Sequence, residues 1–129
     1  MPSSFVALVT LLALGVYLVT FAMTGRARRR FVVRAPAVTG PPEFERAFRV
    51  QQNTLEQLIV FLPALWLFAA FVSPRWGAVL GLVWVAARLY YAYCYYRDPE
   101  TRGPGFGAAL AATGLLWLGA LIGTLSAML

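Results

Sequence analysis

Four apolar stretches separated by short polar segments dominate this chain and constrain its fold more than any other feature. They cover residues 5–23, 58–72, 76–96 and 106–129. Each one, with its flanking residues, reaches the roughly 20 residues that an α-helix needs to cross a bilayer. Only 12% of the 129 residues are charged and 60% are hydrophobic, whereas a soluble domain has about a quarter of its residues charged. The sequence therefore predicts an all-α integral membrane four-helix bundle.

Turn-forming residues separate the four helices. Pro41, Pro42 and Glu43 are typical of a first helical turn, where a missing proline N–H does no harm and an acidic side chain complements the helix dipole. Ser73 and Pro74 break the chain after the second helix, and residues 98–105 are rich in glycine and proline. We expect helices over about 4–28, 41–71, 74–97 and 104–128 within a single domain, 1–129.

The basic residues are all arginines and predict the orientation of the chain. Seven of the eleven fall between the first and second apolar stretches, two between the third and fourth, and one in the second loop. None precedes Arg26, so the first stretch is predicted to be a spanning helix rather than a signal peptide. The positive-inside rule places loops one and three in the cytoplasm. A compact chain with only arginine as its basic residue favours a bacterium, and hence its inner membrane.

The residue inventory excludes several kinds of chemistry. The chain has one cysteine, Cys94, no histidine and only five acidic residues. An internal disulfide needs a second cysteine, and imidazole base catalysis and the common zinc sites need histidine or more cysteines. We therefore expect no metal cofactor. The positive-inside effect already explains the basic charge, including Arg26, Arg30 and Arg34, so no nucleic-acid partner is expected.

Two polar stripes remain at the edge of the apolar stretches. Arg49, Asn53 and Glu56 have helical spacing just before the second stretch becomes continuously apolar. Ionisable groups at a membrane boundary indicate a functional site unless they pair with one another. The third stretch carries a similar stripe of Arg88, Tyr91 and Tyr95. Two interpretations of Arg88 stay open, namely an ion pair with Glu56 and binding of a ligand.

The two stripes meet at one membrane face if loops one and three lie on the same side. The meeting point would then hold three cations, one anion and several hydrogen-bonding groups: Arg49, Arg88, Arg102, Glu56, Asn53, Gln51, Tyr91 and Tyr95. Guanidinium binds carboxylate with two parallel hydrogen bonds, and a carboxylate pairs with an ammonium. Such a site suits a small zwitterionic ligand with more than one carboxylate. No protein nucleophile is evident, so the bound molecule would have to supply it. The remaining tyrosines of the third stretch, Tyr90, Tyr93 and Tyr96, fit an interfacial aromatic belt.

A resemblance to a known family rests on these same residues. Residues 40–56 read GPPEFERAFRVQQNTLE, and the likeness continues through ARLYY at 87–91, Arg102, and the pair Arg28 and Arg29. The segment resembles the signature of the MAPEG family, the membrane-associated proteins in eicosanoid and glutathione metabolism. It is most similar to the branch that contains microsomal glutathione transferases, cysteinyl-leukotriene synthase and the five-lipoxygenase-activating protein. The resemblance implies a homotrimer of four-helix subunits with glutathione, as co-substrate, held between adjacent subunits.

The resemblance also implies residue roles. Those expected to bind glutathione are Arg28, Arg49, Gln51, Asn53, Glu56, Arg88, Tyr91 and Tyr95. Arg102 matches the arginine that stabilises the glutathione thiolate, and Arg29 is the second catalytic candidate, paired with Arg28 at the mouth of the site. The chain departs from the branch pattern at Ala47, Val50, Thr54 and Gln57. Gln57 stands where the synthase has a tyrosine. The resemblance therefore does not carry over one glutathione contact or the substrate preference of the synthase.

The expected function is that of a membrane-bound glutathione transferase in detoxification or lipid metabolism. Its thiolate would attack a lipophilic electrophile arriving from membrane lipid, with peroxidase activity toward a lipid hydroperoxide as a side activity. The alternative within the family is a non-catalytic lipid-binding scaffold, which needs no thiolate stabiliser such as Arg102. A small multidrug antiporter would need an acidic residue deep in the first helix, and residues 5–23 contain none.

Overall fold

The computed structural model describes residues 1–129 and consists of four long helices. They are α1 (Pro2–Phe31), α2 (Pro42–Phe71), α3 (Pro74–Arg97) and α4 (Gly103–Met128), and a 3₁₀ helix, Pro99–Thr101, lies between α3 and α4. All four are long and apolar enough to cross a membrane. The prediction of an all-α chain with four candidate membrane spans is confirmed.

Helix α1 runs further than expected, from Pro2 to Phe31 rather than over 4–28. Three arginines, Arg28, Arg29 and Arg30, lie in its last turn, where positive charge stabilises the negative end of the helix dipole. The charged residues therefore continue the helix instead of ending it. It ends at Val32, which adopts the left-handed conformation (φ 54°) and donates its N–H to the carbonyl of Arg28.

Polar caps order the two short connections. Ser73 Oγ accepts a hydrogen bond from the Trp76 N–H at 3.2 Å and so begins α3 directly after α2. In the third loop, Asp98 Oδ1 accepts from the Glu100 N–H at 3.1 Å, and Thr101 Oγ1 donates to the Asp98 carbonyl at 2.7 Å. These bonds support the 3₁₀ helix, whose backbone bond runs from the Thr101 N–H to the Asp98 carbonyl at 3.0 Å. The sequence patterns did not predict this element.

Helices α2 and α3 form the centre of the bundle, because each contacts the other and both contact α1 and α4. The core is built around Phe61 and Trp84, whose fully buried rings stack with centroids 4.2 Å apart and planes 6° from parallel. Val9 of α1 and Leu116 of α4 complete the same buried cluster. The bundle interior is therefore apolar over most of its length.

The outward face of the bundle is also apolar. Leu18, Ile59, Trp76 and Ile122 are each more than 60% exposed. Contiguous apolar surface on this scale needs lipid or another protein surface to cover it. Because successive helices alternate in direction, α1 and α3 end, and α2 and α4 begin, at the same end of the bundle. Ten of the eleven arginines lie at or near that end, which positions the polar site described next.

Candidate functional site

A polar pocket of about 240 Å³ lies between α2, α3 and the start of α4 at the arginine-rich end of the bundle. Its lining residues are Arg49, Gln52, Asn53, Glu56, Tyr91, Tyr95 and Arg102. We refer to it as the polar pocket. It brings together six of the ten residues that the sequence predicted for the site. The two guanidinium groups, one carboxylate and several neutral hydrogen-bonding groups give it the chemistry of a site for a small zwitterion.

The α2 wall of the polar pocket follows from helical spacing. Arg49, Gln52, Asn53 and Glu56 are separated by three or four residues and therefore share one face of the helix. The neighbouring positions Val50 and Thr54 are buried against α3, where Val50 packs with Tyr91 and Thr54 accepts a hydrogen bond from Arg88. Asn53 Oδ1 is buried without a hydrogen-bond partner. Buried polar atoms are almost always paired in native proteins, so this oxygen is an available hydrogen-bond acceptor in the wall of the pocket.

The α3 wall consists of Tyr91 and Tyr95. Their rings are tilted by 56° with centroids 5.6 Å apart. Tyr91 is only 3% exposed and also contacts Phe106 of α4, with ring centroids 6.2 Å apart. Gly105 permits this packing, since a Cβ at that position would lie 2.8 Å from the Tyr91 Cα. The close approach of α4 to α3 thus fixes the aromatic wall of the pocket.

Arg88 lies beneath the polar pocket rather than in it. It is fully buried, its guanidinium lies 4.0 Å from the centre of the Tyr91 ring, and its Nη2 donates to Thr54 Oγ1 at 2.9 Å. Its Nε and Nη1 have no hydrogen-bond partner. Arg88 therefore forms no hydrogen-bonded pair with Glu56, which is exposed at the pocket wall. Of the two interpretations left open by the sequence, the structural Arg88–Glu56 pair is wrong.

Arg102 is positioned by the third loop. Its Nη1 donates to the Pro99 carbonyl at 2.7 Å, and its guanidinium lies 5.7 Å from the centre of the Tyr95 ring. It also lines an adjoining pocket of about 450 Å³ together with Asn53, Tyr91 and Glu100. Arg102 thus lines two pockets that share Asn53 and Tyr91, and it is anchored through one nitrogen while its side chain remains exposed.

Besides Arg88, three of the predicted residues do not line the polar pocket of this chain. Arg28 donates to the Ala37 carbonyl at 2.8 Å and lies over the Phe44 ring, 5.0 Å from its centre. Arg29 is exposed at the end of α1. Gln51 Nε2 donates to the Tyr17 hydroxyl at 3.4 Å and so faces α1. These side chains lie on other faces of the bundle.

Gln52 is the lining residue that the sequence reasoning missed. It is half-buried in the wall of the polar pocket. The spacing in the sequence could have identified it. Gln52 lies three residues after Arg49 and four before Glu56, which places it on the same helical face. Gln57, which stands where the synthase has a tyrosine, does not line the pocket.

An apolar groove begins one helical turn from the polar pocket. It has a volume of about 340 Å³ and is formed by α2 and α4. Its lining includes Ile59 and Val60, three and four residues after Glu56, and Trp117 on α4. The molecule thus presents a polar pocket and an apolar groove along the same helix.

Comparison with known proteins identifies relatives over most of the chain. Residues 6–122 match the model of the MAPEG family. An uncharacterized protein from Synechocystis sp. is 48% identical over 92% of this chain and 87% of its own length. Microsomal glutathione S-transferase 2 from Mus musculus is 42% identical over 81% of this chain and 71% of its own length. Leukotriene C4 synthase from Bos taurus is 43% identical over 71% of this chain and 59% of its own length.

Proposed function

The chain belongs to the MAPEG family, and from this premise we propose that it is a membrane-bound glutathione transferase. In the proposed reaction the thiolate sulfur of bound glutathione attacks an electrophilic carbon of a lipophilic substrate, displacing a leaving group or opening a strained ring. The similarity to microsomal glutathione S-transferase 2 supports a glutathione-related membrane function. The polar pocket is the observation that carries the finer proposal.

The chemistry of the polar pocket matches glutathione group by group. Glutathione has two carboxylates, one ammonium and one thiol. Arg49 supplies a guanidinium for a carboxylate, Glu56 supplies the single carboxylate for the ammonium, and Arg102 supplies a guanidinium for the thiol. Asn53 contributes a buried carbonyl oxygen that lacks a donor, which a peptide N–H of the ligand would satisfy. We therefore assign ligand-binding roles to Arg49, Asn53 and Glu56.

Arg102 is the proposed stabiliser of the thiolate. A free thiol has a pKa of about 8.5, so only about 3% is ionised at pH 7. Lowering that pKa by about two units requires roughly 2.7 kcal/mol of preferential stabilisation of the thiolate. One guanidinium would supply an interaction of this size once bound glutathione shields it from water. The anchoring of Arg102 by the Pro99 carbonyl at 2.7 Å supports this role, since a held charge needs little reorganisation.

We further propose that the protein acts as a homotrimer with each glutathione between two subunits. Arg28, Arg29 and Gln51 do not line the polar pocket of their own chain, and a neighbouring subunit would bring them to it. The exposed apolar side chains, among them Ile59 and Ile122, provide surface for such an assembly. Native mass spectrometry in mild detergent tests this proposal, and a spectrum with monomers and dimers alone would contradict it.

The proposed setting is a bacterial inner membrane with loops one and three in the cytoplasm. The arginine-rich end of the bundle supports this orientation through the positive-inside rule. It would place the polar pocket on the side where glutathione is available, while the apolar groove starting at Ile59 would be at lipid depth. Fusion of a reporter enzyme to residues 73 and 99 in separate chains tests the orientation of the second and third loops.

An activity screen on the purified protein tests the function. The expected result is conjugation of glutathione to a chloro-nitroaromatic compound, with slower glutathione-dependent reduction of a lipid hydroperoxide to its alcohol, in which glutathione is oxidised to its disulfide. Thermal unfolding with and without glutathione is measured in parallel. Stabilisation by glutathione without any turnover would instead support the non-catalytic scaffold, and absence of both effects would contradict the proposal.

A further inference from the structure

A second pocket, with charged residues in a partly apolar lining, lies at the same end of the bundle, and none of the residues assigned to glutathione lines it. It has a volume of about 290 Å³ between the last turns of α1, the first turns of α2 and the end of α3. Its polar side chains are Arg26, Arg30, Glu43 and Tyr96. We refer to it as the basic pocket. The function proposed above makes no use of it.

Helical spacing places both arginines on one side of α1. Met23, Arg26, Ala27 and Arg30 are three or four residues apart and all line the basic pocket. Arg28 lies on another face, where it donates to the Ala37 carbonyl. The arginine run at the end of α1 is therefore divided between two surfaces. Positive-inside topology explains the charge of Arg26 and Arg30, but it does not require that they share a pocket.

Tyr96 supplies the observation that points to a ligand. Its hydroxyl is buried and has no hydrogen-bond partner, although the side chain lines the basic pocket. A buried hydroxyl without a partner is destabilising, so such a group in a native protein indicates an unfilled contact. Tyr90 and Tyr93 are 53% and 55% exposed, as expected of an aromatic belt. Tyr96 departs from that pattern.

We propose that the basic pocket binds a phosphate group. Guanidinium groups bind phosphate oxygens through parallel charge-assisted hydrogen bonds, and the Tyr96 hydroxyl would donate a third. The two positive charges of Arg26 and Arg30 exceed the one negative charge of Glu43, which leaves one charge for a phosphodiester to neutralise. A phospholipid headgroup and a water-soluble phosphate both carry this chemistry.

The position of the basic pocket fits a phospholipid headgroup. It lies where α1 and α3 end and α2 begins, at the end of the spans where headgroups meet the protein. The apolar part of its lining includes Phe31, Ala47, Met23 and Ala27, of which the last two lie on the side toward the centre of α1. They would contact the start of the acyl chains. A soluble phosphate would leave this apolar surface uncovered.

The test uses the full chain purified in mild detergent. Native mass spectrometry measures retention of phosphatidylglycerol, with diacylglycerol as the probe that lacks phosphate. Thermal unfolding with added inorganic phosphate measures binding of a soluble phosphate. Both measurements compare the wild-type protein with the double variant Arg26→Gln/Arg30→Gln. Arg34→Gln is the matched control, because Arg34 is an exposed arginine of the following loop and does not line the pocket.

We expect retention of phosphatidylglycerol but not of diacylglycerol, and a loss of about tenfold or more in lipid affinity in the double variant. A different outcome is that inorganic phosphate stabilises the wild-type protein but not the double variant, while both retain lipid equally. The pocket would then be a phosphate site whose ligand is a soluble phosphate. Equal behaviour of the wild-type protein and the double variant toward phosphatidylglycerol and toward inorganic phosphate would overturn the proposal.

Two conservative variants decide the matter if the double variant does not fold. Tyr96→Phe removes only the unpartnered hydroxyl and should weaken phosphatidylglycerol binding by about threefold or more. Glu43→Gln removes the one negative charge of the pocket and should strengthen phosphatidylglycerol binding by a similar factor. If Glu43 had only a structural role, this substitution would not strengthen binding. Unchanged binding in both variants would contradict the assignment of the pocket to phosphate.

Discussion

Arg88 and Thr54 form a buried hydrogen bond that joins α3 to α2, with Nη2 2.9 Å from Oγ1. Arg88 is 0% exposed and Thr54 is 1% exposed. Thr54 Oγ1 donates in turn to the Val50 carbonyl at 2.7 Å, and the Arg88 guanidinium supports the Tyr91 ring. The bond therefore links the two helices that form the walls of the polar pocket. Thr54 is one of the positions at which the chain departs from the pattern of its branch.

Thr54→Val should destabilise the protein, because it removes the only hydrogen bond of a buried guanidinium. A hydrogen bond to a charged group contributes about 1.5–3 kcal/mol, and the free energy of unfolding should fall by a similar amount. Thermal unfolding in detergent measures the effect. Thr54→Ser retains the hydroxyl and should lose much less stability. A Thr54→Val protein that unfolds at the wild-type temperature would show that this hydrogen bond has no structural role.

Gly105→Ala should push α4 away from α3. The new Cβ would lie 2.8 Å from Tyr91 Cα and 3.0 Å from the Ala87 carbonyl oxygen, and backbone atoms cannot yield as a side chain does. We expect the free energy of unfolding to fall by about 1–3 kcal/mol. We also expect lower activity, because Arg102 directly precedes the first turn of α4. Gly107→Ala is the matched control, since no atom lies within 4 Å of its Cβ position. Equal melting temperatures of the two variants would contradict the close-contact account.

Glu56→Gln should weaken glutathione binding and leave the fold intact. Glu56 is exposed and forms no hydrogen-bonded pair with Arg88, so its loss leaves no buried charge unpaired. Loss of the carboxylate for the ammonium should reduce affinity by about 1.5–3 kcal/mol, roughly ten- to a hundredfold. Isothermal titration with glutathione measures this change. Glu45→Gln, on the exposed first turn of the same helix, should bind normally. Wild-type affinity in Glu56→Gln would remove Glu56 from the site.

Gln52→Ala should weaken glutathione binding more than Gln57→Ala. Both glutamines are half-buried on α2, but only Gln52 lines the polar pocket. Loss of one hydrogen bond to a ligand group should reduce affinity by about 0.5–1.5 kcal/mol. The same titration compares the two variants. A larger effect of Gln57→Ala would mean that glutathione lies on a different face of α2.

The fold was largely predictable from the sequence, because a lipid-exposed backbone must satisfy its own hydrogen bonds and so each long apolar stretch becomes a helix. The residues at which the helices begin and end were harder to predict. Arg28 to Arg30 continue α1 because their charges suit the helix dipole, although they are not apolar. The 3₁₀ helix depends on side-chain bonds such as Thr101 Oγ1 to the Asp98 carbonyl, which no periodic pattern reveals.

The site was predictable where helical spacing alone decides which residues share a face, as for Arg49, Asn53 and Glu56. It was less predictable where the packing of one helix on another determines whether a side chain faces the pocket. Arg88 shares a face with Tyr91, yet it lies beneath the pocket because Thr54 on α2 offers an acceptor there. Gln51 turns toward Tyr17 on α1. Such contacts depend on how the helices are rotated and spaced, and the sequence of one helix does not contain that information.

The central claim, that the polar pocket ionises the thiol of glutathione next to Arg102, is tested most directly by the ultraviolet absorbance of bound thiolate as a function of pH. We expect the bound thiol to titrate about two units below the pKa of about 8.5 of a free thiol in the wild-type protein. Stabilisation of the charged form lowers the pKa, so thiolate should already predominate at pH 7.

Arg102→Ala should return the titration toward that of the free thiol and reduce turnover at neutral pH by about ten- to a hundredfold. Arg97→Ala, which removes an exposed arginine bonded to Tyr93 outside the polar pocket, should leave the curve unchanged. Superimposed curves for the wild-type and Arg102→Ala complexes would contradict the role of Arg102. A wild-type complex whose thiol titrates like free glutathione would contradict the central claim itself.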